Sequence, residues 1–217
     1  MLIRILLNSL MGLIASTTMA LAVAEGTYVE GTHYEVIDIP VETGLEAELP
    51  RKVEVVEVFS YMCVHCYSFD PLLERWEQGK SEQAVFNRLP AVFSPDWALM
   101  AQAFYTAEIL GVTEQMHEPL FAAIHTQPKN LRDEDIMAAL FEDNAGISTE
   151  EFGKSYNSFF VRSRVMQAQA KSRAYGITGV PMMIVNGKYR VGASMAGSNQ
   201  GMLDVVDFLV QKELAAE

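Results

Sequence analysis

Cysteine is nearly absent from this chain: of 217 residues only Cys63 and Cys66 are cysteine. That scarcity excludes a disulfide-stapled scaffold. A pair three residues apart closes too short a loop to brace a fold: chain entropy gives about 2 kcal/mol for four residues, against about 4.7 for a hundred. Basic residues are also few, 16 Lys and Arg against 28 Asp and Glu, for a net charge of −12. No basic run interrupts that acidity, so the chain lacks the electrostatic footprint of a nucleic-acid or anionic-lipid binder. Histidine is limited to His33, His65, His117 and His125. These form no compact four-ligand pattern with the cysteines, so no metal site is expected. His117 and His125 are read as surface residues of helices. Haem attachment needs a histidine directly after the second cysteine, and Tyr67 stands there.

Long apolar runs are missing except at the start. Arg4 precedes an apolar tract from Ile5 to Ala22 that ends in Ala22-Val23-Ala24. A charged start, a short apolar stretch and an A-x-A exit describe a secretory signal peptide over 1–24. An uncleaved anchor is the alternative, but Asn8, Ser9, Ser16, Thr17 and Thr18 dilute the stretch. The mature chain is expected to begin near Glu25 and to work outside the cytoplasm. An oxidising compartment suits a cysteine pair kept for chemistry.

The remainder shows no internal repeats. Tyr34–Ile39 alternates as a strand closed by Pro40, and Val53–Phe59 is β-branched and nearly continuous, as in a strand buried on both faces. Cys63 opens a helix to about Gln78, with Pro71 inside it as a predicted kink. Residues 84–92 form a third strand. From Ser94 to Tyr175 the pattern is helical: Ser94-Pro95 starts one helix and Gly111 closes it, and Thr113 caps the next. A short helix spans Arg132–Glu142. Ser148-Thr149-Glu150-Glu151 is a capping box for one long helix whose apolar side carries Phe159, Phe160, Val165 and Ala168. Strands at 182–185 and 188–191 flank Asn186-Gly187, a hairpin turn, and Ser198–Ala215 is a closing helix. This order describes an α/β chain whose mixed sheet is interrupted by a helical insertion.

A cysteine at the first turn of a helix, just past a strand, faces unpaired N–H groups and the positive end of the macrodipole. Both favour thiolate, so Cys63 is expected to be the attacking and attacked sulfur. Cys66, one turn inside, resolves. His65 between them either tunes the Cys63 thiolate or is a solvated polar residue on an exposed turn.

Phe59-Ser60-Tyr61-Met62-Cys63-Val64-His65-Cys66-Tyr67 resembles the active-site segment of the DsbA family, periplasmic disulfide oxidases with a thioredoxin fold. Gly179-Val180-Pro181-Met182-Met183-Ile184-Val185-Asn186-Gly187-Lys188-Tyr189 resembles its second signature, and Glu118-Pro119-Leu120-Phe121 and Tyr156-Asn157-Ser158-Phe159 are similar to segments of its helical insertion. The resemblance implies a thioredoxin-like domain over 25–94 and 176–217, with the insertion at 95–175. It implies a redox-active Cys63–Cys66 disulfide donated to reduced exported proteins, no soluble cofactor, and reoxidation by a DsbB-like quinone reductase of the membrane. It further implies a periplasmic monomer with a cis Val180–Pro181 peptide against the cysteines, the backbone of Val180 being left for an extended substrate. From the residues alone Pro181 is equally an ordinary trans residue opening a strand.

Glu57 matches a family acid beneath the active site. It serves either proton traffic for Cys66 or a structural ion pair with Arg88, which stands where the family commonly has lysine. The family's commonest dipeptide is Pro-His, where this chain has Val64-His65; the valine adds an apolar side chain beside Cys63. Met62, Val64, Met182 and Met183 offer an apolar rim for varied substrates, Met183 being equally suited to the interior. A reductase or isomerase on the same fold, and a peptide-binding chaperone with incidental cysteines, are the competing functions. Barely ten residues separate Glu25 from the first strand, which leaves little room for the dimerisation module of dedicated isomerases.

Overall fold

The computed structural model describes residues 28–43, 45, 52–80 and 82–216. The leader expected over 1–24, and most of the charged connection at 42–51, lie outside the described residues. No helix among the described residues is long and apolar enough to cross a membrane.

Val53–Phe59 forms β2, and every one of its seven residues is buried. That burial is why it reads as a continuous β-branched run rather than an alternating one. It pairs in parallel with β3, Ala84–Pro90, and antiparallel with β4, Met182–Val185. β4 turns into β5, Tyr189–Val191, and β1, Glu35–Val36, adds an edge, giving the order β1-β5-β4-β2-β3. The strand expected from Tyr34 to Ile39 is thus only two residues long. Ile37 donates one further backbone bond to Lys188, and the chain then leaves the sheet toward Pro40.

Asn186 and Gly187 both have positive φ, 51° and 63°, which gives the hairpin its tight turn. A Cβ on Gly187 would lie 1.9 Å from the Val41 carbonyl oxygen, because Val41 donates its N–H to the Gly187 carbonyl at 3.0 Å. Gly187→Ala therefore combines left-handed backbone strain with displacement of the neighbouring chain at Val41. It is expected to destabilise by roughly 2–4 kcal/mol, read as a lower urea midpoint with unchanged slope.

Two layers of helix cover the sheet. On one face, α1 (Val64–Lys80) and α8 (Asn199–Ala215) pack Phe69, Leu73, Val205, Val206 and Leu209 against Val53, Val55, Met183 and Val185. Trp76 spans the two helices through an indole bond to Asp207 at 2.8 Å. Pro71 lies on the exposed side of α1, inside one continuous helical span. On the other face, five helices fill the chain between β3 and β4: α2 (Pro95–Ile109), α3 (Thr113–His125), α4 (Glu134–Ala145), α5 (Thr149–Tyr156) and α6 (Phe159–Ala174). Their core of Met116, Leu120, Phe121, Met137, Phe141 and Phe152 merges with Val56, Val58 and Phe59 of β2.

Three expectations in this region are corrected. Thr113 is the first helical residue and caps nothing; Val112 takes the cap position without a side-chain bond. The long helix after Ser148 is two helices. Ser148 caps the first through Glu151, and Ser158 caps the second by accepting from the Val161 N–H. The break turns Phe159 and Phe160 away from the core, so they are exposed at 76 % and 62 %. A four-residue helix, α7 (Ala193–Ala196), also precedes α8.

Register places the site. Val58 pairs with Met182 and Phe59 with Pro90, so the C-terminal end of β2 and the N-terminal end of β4 share one edge of the sheet. The chain segments carrying Cys63 and Val180–Pro181 are therefore neighbours.

Candidate active site

Cys63 sits at the cap of α1, one position before its first helical residue. Its carbonyl accepts the first helical bond, from Tyr67 N–H at 3.0 Å. Its sulfur accepts from the Cys66 N–H at 3.3 Å, as a serine or aspartate oxygen does at other helix starts. The cap side chain here is thus a sulfur atom aimed at the unpaired donors of the first turn. The Val180–Pro181 peptide is cis, and the Val180 carbonyl oxygen lies 3.5 Å from the Cys63 sulfur. Both cysteines are unbonded, Cys63 partly exposed and Cys66 buried.

The two sulfurs have opposite electrostatics. A hydrogen bond from the Cys66 thiol lowers Cys63 to about 6 from its ordinary 9.0. The backbone N–H groups of Cys66 and His65 and the charge of His65 act the same way, against partial burial. Burial pushes Cys66 strongly upward, reinforced by its donation to Cys63 and by the charge of Glu57. The imidazole of His65 is exposed, and its charge is the smallest of these influences on Cys63.

His65 lines a cavity of ≈ 510 Å³ with Val180, Pro181, Met182, Gly192 and Ser194. Val64 is 54 % exposed beside it and Met62 37 % exposed, whereas Met183 is fully buried. On the far side of Met62 a second cavity of ≈ 180 Å³ lies among Leu99, Met100, Ile124 and Leu131.

Beneath the cysteines lies a buried polar network. Glu57, on β2, accepts from Arg88 Nε at 3.2 Å, and Arg88 also donates to Asp70 Oδ1 of α1 at 3.1 Å. Sequence position placed Glu57 and Arg88 together, and the parallel register sets them directly opposite one another. Burial pushes the Glu57 carboxyl up to about 8, outweighing the opposing pull of Arg88, so it holds a proton at neutral pH.

His117 and His125 are not surface residues. His117 is buried with Nε2 2.9 Å from Asp70 Oδ1 and Nδ1 2.9 Å from the Tyr61 hydroxyl. His125 donates from Nε2 to the Tyr61 carbonyl at 2.8 Å and stacks on Tyr67 at 5.0 Å. Asp70 escaped notice because nothing local marks it: its partners are 18 and 47 residues away. The spacing of His117 and His125, eight residues on one helical stripe together with Phe121, was the available signal.

Residues 73–203 match the model of a DSBA-like thioredoxin domain. The chain belongs to the DsbA family. The thiol:disulfide interchange protein DsbA of Pseudomonas aeruginosa is 37% identical over 201 residues, 93% of each chain. That of Azotobacter vinelandii is 39% identical over 181 residues, 83% of each. The crystal structure of Pseudomonas aeruginosa DsbA superposes with a TM-score of 0.80 at 38% identity, covering 87% of this chain and 96% of that one. As a DsbA-family member the chain is a protein disulfide oxidoreductase of thioredoxin-like fold.

The raised Glu57 carboxyl has a consequence for stability. Its pKa lies near 4.5 unfolded and about 8 folded, so between those values the folded state binds the extra proton. Stability therefore falls as pH rises through that window, with a slope of up to ~1.4 kcal/mol per pH unit. Urea unfolding of the oxidised protein at pH 5 and pH 8 is expected to show this loss, and Glu57→Gln to remove it.

Proposed function

We propose that this chain oxidises reduced, newly exported proteins by donating a Cys63–Cys66 disulfide, in the periplasm and as a monomer. The 1–24 leader would be removed on export. The thioredoxin-like domain, 25–94 and 176–217, carries the chemistry, and the insertion at 95–175 covers it. The observation that carries this reading is the bond from the Cys66 N–H to the Cys63 sulfur at the helix cap.

A substrate thiolate attacks Cys63 Sγ; the Cys63–Cys66 bond breaks as the substrate–Cys63 bond forms. Cys66 departs as a thiolate of high proton affinity, and protonated Glu57 supplies the proton. A second substrate thiolate then attacks the substrate sulfur of the mixed disulfide. Its product is a substrate disulfide, and Cys63 leaves as a thiolate. A low leaving-group pKa speeds that departure. The substrate has lost two electrons and the Cys63–Cys66 pair has gained them; a DsbB-like quinone reductase in the membrane would take them on.

Val180, Pro181 and Val64 border the sulfur, and Val180 offers backbone to an extended peptide in the manner of an added strand. Their apolar surroundings accept varied sequences, and no residue here demands a soluble cofactor or metal. The test is oxidative refolding of a reduced multi-cysteine protein. Catalysed disulfide formation by the oxidised form is expected. Acceleration confined to reshuffling of disulfides already formed, or help that persists without both cysteines, would overturn the oxidase reading in favour of an isomerase or a chaperone.

A further inference from the structure

His117 takes no part in the sulfur chemistry, yet it is the buried link between the helical insertion and the group beneath Cys66. Asp70 as a carboxylate only accepts hydrogen bonds, so His117 Nε2 donates to it. In the neutral ring Nδ1 then accepts, from a Tyr61 hydroxyl that burial keeps protonated. Asp70 Oδ1 thus receives two donors, His117 at 2.9 Å and Arg88 at 3.1 Å, while the other arm of Arg88 reaches Glu57. Arg88 is one cation shared between two acidic side chains, Asp70 and Glu57.

We propose that His117 is a positioning residue for the proton step at Cys66: by donating to Asp70 it weakens that carboxylate's claim on Arg88, and so leaves Arg88 on Glu57. This rests on the reading that Glu57 exchanges the Cys66 proton. The groups that face this network are Cys63 and Tyr61 before α1, Cys66 and Asp70 on α1, Glu57 on β2 and Arg88 on β3. Glu77 of α1 and Glu114 of α3 lie further out. Asp70 raises Glu57 and Arg88 lowers it, so the balance between them decides the pH at which Glu57 takes a proton from Cys66.

The experiment is rapid mixing of reduced protein with oxidised glutathione across pH. The concentration-dependent phase reports Cys63 attack, and the concentration-independent phase reports resolution by Cys66. In His117→Leu, Asp70 draws Arg88 away from Glu57, and the pH midpoint of the second phase is expected to rise by about one unit, a tenfold lower rate at neutral pH. His117→Gln, which keeps an N–H donor, should restore it. Asp70→Asn should move the midpoint the other way, a sign that loss of packing does not produce. The midpoint of the first phase should stay in place throughout.

An unmoved second-phase midpoint in His117→Leu, no rescue by glutamine, or an upward shift in Asp70→Asn would overturn the proposal. Should the leucine variant fail to fold, the opposite shift in Asp70→Asn and the wild-type midpoint in His117→Gln still decide it. The Glu57 reading fails separately, by a Glu57→Gln variant whose second phase keeps the wild-type profile.

Discussion

Cys63→Ser is expected to reduce disulfide transfer to the uncatalysed rate, while Cys66→Ser stalls the reaction half-way. The first variant keeps a hydroxyl where the low-pKa sulfur stood, and neither forms nor accepts a mixed disulfide. The second keeps Cys63 with its cap geometry but loses the resolving thiol. Mixed with a disulfide substrate it should therefore accumulate a mixed disulfide: the Cys63 thiolate attacks, one substrate sulfur leaves as a thiolate, and no second thiol of the chain resolves the adduct, which is visible as a reducible mass increase on non-reducing gels. The asymmetry follows from burial: Cys63 is partly exposed beside the Val180 carbonyl, and Cys66 is buried beneath it. Equal trapping by both single-cysteine variants would contradict the division of roles.

The second large effect concerns protonation. Alkylation of the reduced protein against pH should give a Cys63 midpoint near 6, with Cys66 unreactive through the same range. The leading cause is the bond from the Cys66 thiol, so Cys66→Ala should move the midpoint up toward the ordinary 9.0. Cys66→Ser, which keeps a donor, should hold it low. His65→Ala should move it least, because it removes only the charge of the imidazole, the smallest of these influences, and leaves the His65 backbone N–H in place. Linkage gives the sign for stability. Cys63 is deprotonated in the fold from about 6 and in the unfolded chain only from about 9, so the reduced fold gains stability as pH rises between them. The oxidised form has no thiols and lacks this gain. Glu57 slopes the other way up to about 8, and the Cys63 thiolate adds to that rise only in the reduced form, so the comparison of reduced and oxidised unfolding curves is made in Glu57→Gln, where it reports Cys63.

Much of this site is written in local pattern. Val53–Phe59 is recognisable as a buried strand because both of its faces are apolar, and Glu57 stands out as the charge that does not belong there. Asn186-Gly187 announces a hairpin because few other residues tolerate its dihedral angles. Cys63 and Cys66 draw notice because no other cysteines exist. The assignment of Cys63 to the first turn was one residue out: it is the cap, and the difference matters because a cap side chain receives N–H bonds that a helical one does not.

What stayed hidden is non-local. Asp70, His117 and Tyr61 meet across separations of 47 and 56 residues, and no spacing rule connects them. His117 reads as a polar surface position on its own helix until Asp70 and the Tyr61 hydroxyl satisfy both ring nitrogens. The split between α5 and α6 had a signal in Ser158, a good cap residue followed by no glycine or proline. The two phenylalanines after it suggested continuity of an apolar face instead. Their exposure shows how readily an aromatic pair misleads when a helix restarts with a new phase.

The central claim is that a sulfur at the helix cap, held as thiolate by Cys66 and the first-turn N–H groups, makes the reduced pair the stabilised one and the disulfide an oxidant. Equilibration of the Cys63–Cys66 pair with glutathione buffers measures this directly. The expected potential lies above about −180 mV, more oxidising than protein disulfide isomerase; a value near −270 mV, as for thioredoxin, would contradict it.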